Sequence, residues 1–284
     1  MISGLSAGSV AGWRFLIAGV LLALYQILRG DKITKLNRWM VIGAVAFATD
    51  IYLWHHAILS IGGGLATVLT NTQVIYMSLM SIKQKEFKKP WMVIVAALLG
   101  VLGVFLLFYD RIFSTSGVNS ALPLFDRVQG LVFGLVAGML YTVFLVCFTK
   151  AQEFDRQKMK SNVSALQTLT WVSLIGGAGI LIFESTLAQA GLREWNQLIP
   201  QNFHQISWLL ILAIVIHIGG WVELGNALNH YKKATMGLIL LLQPVMSTAW
   251  AWILFGERMN HLQLVGALAI FIALLIIRLA QSRD

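Results

Sequence analysis

Residues 91–109 read WMVIVAALLGVLGVFLLFY, nineteen positions without one charged side chain. A helix needs about 20 mostly apolar residues to cross ~30 Å of hydrocarbon, and this run meets that length. Outward from it, eight further apolar runs lie at approximately 13–29, 38–60, 65–82, 128–149, 164–184, 207–229, 234–255 and 262–280. Their apolar residues are continuous rather than alternating, so each run satisfies its backbone as a helix and not as a barrel strand. The longest connections, 110–127 and 185–206, are too short to hold a domain outside the membrane. An all-α integral membrane protein with about nine transmembrane helices is expected.

Hydrophobic residues make up 58% of the 284 and charged residues only 12%, with a mean hydropathy of +0.76. A soluble domain carries about 25% charged residues, so the medium facing most of these side chains must itself be apolar. The net charge of +9 would suggest a nucleic-acid partner in a soluble chain. Here the basic residues fall between apolar spans, and no nucleic acid is expected. The single cysteine, Cys147, lies inside an apolar run and has no partner for an intrachain disulfide.

Placing the connection after the first run in the cytoplasm puts sixteen of the 21 Lys and Arg residues on that side. Only Arg14, Arg111, Arg127, Arg193 and Arg258 are left outside. This bias predicts a cytoplasmic C-terminus in a cell inner or plasma membrane.

Two stretches, Trp39 to Phe108 and Trp208 to Ile277, match in pattern at an offset of about 170 residues. Each reads as a long helix, a tight loop, a helix with a central glutamine (Gln73, Gln243), a charged turn with a glutamate (Glu86, Glu257) and a last helix. The charge bias gives them opposite orientations, an inverted repeat of the kind common in secondary transporters. The expected division is a four-helix first repeat at 1–109, an external linker at 110–127 and a five-helix second repeat at 128–284.

Further residues carry a resemblance. Arg14-Phe15-Leu16 opens a helix after a small-residue loop that begins at Leu5, and Ala66 to Met80 runs into a basic turn. Ala234 to Phe255 has Gln243-Pro244 at its centre and is followed by Gly256-Glu257 and a closing helix. On these features the chain resembles the EamA-type transporters of the drug/metabolite transporter (DMT) superfamily. The resemblance implies ten helices in two five-helix repeats, so the first helix is missing here and one more span is expected ahead of Met1. It also implies that the last helix of each repeat, 91–109 and 262–280, lies outside a central cavity and is available for a homodimer contact. Two departures stand out: Val74 sits where the family pattern often has the proline kept here as Pro244, and Lys85-Glu86 replaces the Gly-Glu of the second half.

Asp50 and Glu223 are the two acidic residues inside the expected spans. A carboxylate surrounded by hydrocarbon is disfavoured by several kcal/mol on insertion scales, so both should face protein or water. Held away from water, such a group favours its neutral form and can link protonation to an inward–outward switch; a hydrogen-bonded structural acid is the alternative. Trp54 shares a helical face with Asp50 at i+4, His217 shares one with Trp221, and Glu223 shares one with Asn226. Stacking and hydrogen-bonding groups of this kind suit a small polar metabolite, although Trp54 also fits an interfacial aromatic belt. Gln73 and Gln243, with Asn71 and Tyr141, either line the path or bond neighbouring helices. Gly130, Gly134 and Gly138 form a stripe for close helix contact, Gly219-Gly220 a hinge or packing point, and Gly62-Gly63-Gly64 a tight turn.

Zinc-protease, serine-hydrolase, paired-cysteine and phosphate-loop signatures are absent from the sequence, and no enzyme activity, metal or cofactor is expected. The function expected is secondary transport, as an exporter of small metabolites, proton-coupled, through a central cavity between inverted repeats. Two buried carboxylates without a buried base point to a cationic or zwitterionic solute such as an amino acid or amine. The rival readings are a non-transporting membrane scaffold or truncated remnant, and a flippase for a lipid-linked substrate.

Overall fold

The computed structural model describes residues 4–31, 33–113, 123–159, 165–228, 230–255 and 260–280, all helix, turn or loop. The helices are α1 (Ala7–Leu28), α2 (Arg38–Ile61), α3 (Gly63–Thr70), α4 (Gln73–Lys83), α5 (Pro90–Phe113), α6 (Leu124–Met159) and α7 (Ala165–Gln189). They continue with α8 (Phe203–Ile211), a π-helical stretch (Leu212–Gly219), α9 (Gly220–Ala227), α10 (Lys233–Leu240), α11 (Leu242–Phe255) and α12 (His261–Ala280). Among the described residues, eight helical stretches are long and apolar enough to span a membrane. The protein is therefore an all-α membrane protein. The run expected as a ninth span, 234–255, is divided at Leu241 into α10 and α11.

That division has a sequence cause and a counterpart. Pro244 is the third residue of α11, where its missing N–H and its ring prevent the bond to the carbonyl four residues back. The stretch 63–83 breaks in the same way at Asn71–Thr72, 170 residues earlier, without a proline. There the Thr70 and Asn71 side chains donate to the carbonyls of Ala66 (3.0 Å) and Thr67 (2.8 Å), and the Thr72 hydroxyl donates to that of Leu69 (2.6 Å). Such back-bonding competes with the helix and bends it. Val74 thus replaces a proline without restoring a straight helix.

The first expected span begins earlier than its hydropathy suggests. Leu5 to Arg14 was expected as a loop, yet α1 starts at Ala7, capped by the Ser6 hydroxyl, which accepts from the Ser9 N–H at 3.0 Å. Ala7 to Gly12 are small because this turn packs hard on α7. A Cβ at Gly12 would lie 2.8 Å from Leu181, and one at Gly177 would lie 2.5 Å from the Leu16 backbone. Gly256-Glu257, half of the expected pair of charged turns, lies outside the described residues.

The chain forms two compact units, each drawn from both ends of the sequence. One comprises Met1–His55 with Val143–His230, the other His56–Thr142 with Tyr231–Asp284. In the second, α5 and α12 meet at facing glycines. A Cβ at Gly103 would fall 2.7 Å from the Gly266 carbonyl oxygen, and one at Gly266 would fall 2.6 Å from that of Gly103. Gly130, Gly134 and Gly138 of α6 likewise sit against Ser60, Leu69 and the Thr70 carbonyl, the close contact expected of the stripe. The end of α4 is tied to the start of α10. The Ser81 hydroxyl donates to Glu86 (2.6 Å) and accepts from the Ala234 N–H (2.9 Å), while Lys233 Nζ lies 3.1 Å from the Glu86 carboxylate.

Candidate functional site

In the first unit the core is aromatic. Phe15, Phe47, Phe144 and Phe148 are buried, with Phe47 and Phe144 stacked at 4.1 Å between ring centres. Trp221 stands edge-on to Phe47 (4.6 Å) and Phe144 (5.0 Å), and the His217 ring lies 4.4 Å from Phe15 and 6.1 Å from Phe47. His217 and Trp221, expected on one face, thus both meet Phe47. His217 is 1% exposed; its Nε2 shares a hydrogen bond with the Ser173 hydroxyl at 2.9 Å, and its Nδ1 has no partner. It sits in the π-helical stretch that ends at Gly219, and π-turns inside helices concentrate at functional positions. No side chain crowds Gly219 or Gly220, which favours the hinge role over close packing.

Asp50 follows Phe47 by three residues on α2. It is 3% exposed, and its Oδ1 is buried with no hydrogen-bond partner. Trp54, one turn on, is half-buried and stands edge-on to His55 at 5.1 Å. Glu223 and Asn226 are exposed, so Glu223 does not match the enclosure of Asp50.

The second enclosed carboxylate is Glu184. The expected span stopped there, but α7 continues to Gln189 and buries Glu184 completely. One carboxylate oxygen accepts from the Ser6 hydroxyl (2.7 Å) and lies 3.6 Å from Arg193 Nε, while the other is buried without a partner. Gly8 makes the space: a Cβ there would overlap this carboxylate. The loop between α7 and α8 is held to the same end of α1, with the Ser6 N–H on the Gln197 carbonyl (2.9 Å) and Trp13 Nε1 on that of Leu198 (2.7 Å). The buried positions Gly177, Ile180, Glu184 and Ala188 recur at helical spacing, a signal that was present in the sequence.

The model of the EamA-like transporter family matches residues 1–109 and 128–279. The chain belongs to the EamA-like transporter family. It is accordingly an integral membrane protein of a small-molecule transporter family. A solved structure titled "Crystal structure of protein" shares the fold, with a TM-score of 0.75 at 12% identity over 98% of this chain and 90% of that one. No curated protein matches the sequence significantly.

In this EamA-like chain the remaining expected residues lie in the other unit. Gln73 is 2% exposed with its side-chain oxygen unpartnered, and Tyr141 is buried. Asn71 is committed to its own helix through Thr67, and Gln243 is exposed. One expectation needs correction. Arg14 was placed at the outer end of the first span, but it is the eighth residue of α1, half-buried, with its Nε enclosed and without a partner among the described residues. A cation therefore does lie inside a span, which removes the ground for expecting a cationic solute. Between α2 and α7 of the same unit runs an apolar groove of about 490 Å³, lined by Ala48, Thr49, Tyr52, Ile180 and Phe183 among others. Among the described residues no group of His, Cys, Asp and Glu is arranged to hold a metal ion.

Proposed function

We propose that this EamA-like chain is a proton-coupled exporter of small metabolites, with Asp50 as the coupling group and the His217–Trp221 segment as part of the moving element. The observation that carries the reading is Asp50, enclosed in the first unit with a carboxylate oxygen that no described residue satisfies. Taking up or releasing a proton at such a group changes the charge that its surroundings must accommodate. The Ser173–His217 bond and the glycines that follow give α9 a place to turn. Arg14 favours a solute that carries an anionic group.

Flux of candidate solutes into proteoliposomes, driven by an imposed pH gradient, tests this. Asp50→Asn is expected to lose about ten-fold or more of the gradient-driven flux while eluting as a folded protein, and Glu223→Gln is expected to keep it. Full, pH-dependent flux in Asp50→Asn defeats the proposal. The apolar α2–α7 groove favours a second reading, movement of a lipid-linked substrate, for which a fluorescent-lipid translocation assay would respond where solute flux does not.

A further inference from the structure

At the C-terminal end of α1 the first unit contains a second, smaller pocket of about 270 Å³, apart from the aromatic core. Its polar lining comes from Tyr25, Gln26, Arg29 and Asp31 at the end of α1, from Gln167 in the first turn of α7 and from Asn226 of α9. Gln26 is 1% exposed. Its amide nitrogen donates to the Leu22 carbonyl (3.0 Å) and to the Thr170 hydroxyl (2.7 Å), which fixes the side chain and leaves its oxygen buried without a donor. Buried acceptors are nearly always satisfied, so this one calls for a donor from elsewhere. Arg29 Nη1 donates to the Tyr25 hydroxyl at 2.9 Å, and its guanidinium lies 5.6 Å from the centre of the Tyr25 ring. That contact places the cation beside the pocket. Asp31 is positioned by its own N–H, which donates to the Gln26 carbonyl at 2.9 Å. The lining therefore combines a guanidinium and a phenol with a carboxylate and an amide oxygen without a donor among the described residues.

The surroundings say which molecule brings both complementary groups. Leu24, Ile27 and Leu28, on the same last turns of a membrane-spanning helix, are all exposed, Leu28 at 86%. Such side chains meet acyl chains, and the end of a span meets the headgroup layer. We propose that this pocket binds the phosphoethanolamine group of a membrane lipid, with the phosphate on Arg29 and Tyr25 and the primary ammonium on Asp31 and the Gln26 oxygen. Phosphate suits the planar donor fork of an arginine. A primary ammonium supplies the N–H that Gln26 lacks; a trimethylammonium has none, and a glycerol headgroup carries no cation. The proposal does not depend on the transport reading.

Native mass spectrometry of the full chain in detergent tests it, with phosphatidylethanolamine, phosphatidylcholine and phosphatidylglycerol of identical acyl chains added in turn. Phosphatidylethanolamine is expected to be retained about five-fold over the other two, with the preference lost in Asp31→Asn and the retention of all three lipids lowered in Arg29→Gln. Both side chains are exposed, so neither substitution threatens the fold. Equal retention of the three lipids, an unchanged preference in Asp31→Asn, or unchanged retention in Arg29→Gln overturns the proposal. Displacement of the bound lipid by free phosphoethanolamine overturns the lipid as the source and assigns the site to a soluble zwitterion of the same chemistry; no displacement supports the lipid.

Discussion

In the unit built from 56–142 and 231–284, Gly103 and Gly266 bring the backbones of α5 and α12 together until a Cβ on either would overlap the other's carbonyl oxygen. The unit built from 1–55 and 143–230 instead encloses Asp50, Glu184, Gln26 and His217. Both have helices in close contact at glycines, but the first also encloses two carboxylates, polar groups that contact alone does not satisfy. The second unit has unpartnered buried oxygens too, on Gln73 and Ser78, yet both buried carboxylates of the described residues are in the first. Unpaired buried polar atoms lower stability. The two enclosed carboxylates and the buried His217 are why the candidate site is sought among Asp50, His217 and Glu184 and not around α5 and α12.

The contrast can be broken most directly at the glycine crossing. Gly103→Val or Gly266→Val forces side-chain atoms against backbone that has no rotamer to change, and overpacking of this kind costs about 3 kcal/mol. The apparent melting temperature in detergent should fall sharply; a variant that melts like the parent would show that the crossing is not what holds this unit. A smaller loss, about 2 kcal/mol after allowing for the 29% exposure of its side chain, is expected for Arg193→Ala, because the buried Glu184 carboxylate then loses its cationic neighbour. Adding Glu184→Gln should recover most of that loss, since the amide oxygen still accepts from Ser6. If the double variant melts no higher than Arg193→Ala, the contact with Glu184 is not what Arg193 contributes. The smallest change belongs to Lys233→Ala. Its contact with Glu86 is partly solvated, and such pairs contribute at most ~1 kcal/mol; a larger shift would mean that the α4–α10 tie is as critical as the buried groups of the first unit.

Much of the membrane architecture was legible because hydrocarbon thickness sets helix length, and a run such as 91–109 has no other use. The break at Leu241 could be read from Pro244. Its counterpart at Asn71–Thr72 could not, because back-bonding by Thr70, Asn71 and Thr72 depends on rotamers that sequence does not display. Of the site, Asp50 and His217 stood out as polar residues in apolar runs and prove to be enclosed. Glu184 escaped because it closes its run, where a carboxylate reads as a loop residue. The start of α1 escaped because Ala7 to Gly12 are too small to register as apolar, although their smallness is what lets α1 lie on α7.

By itself the sequence determined that this chain lives in a bilayer, that it is helical, and which stretches hold the apolar helices, since each of these follows from the solvent acting on consecutive residues. Tertiary structure decided which polar groups are withheld from solvent. Glu223 and Asp50 look alike in sequence, but one is exposed and the other enclosed. Enclosure is a property of neighbours brought from far along the chain, as Phe144 is to Phe47 and Ser6 to Glu184 — and no local pattern of hydropathy encodes which neighbours those will be.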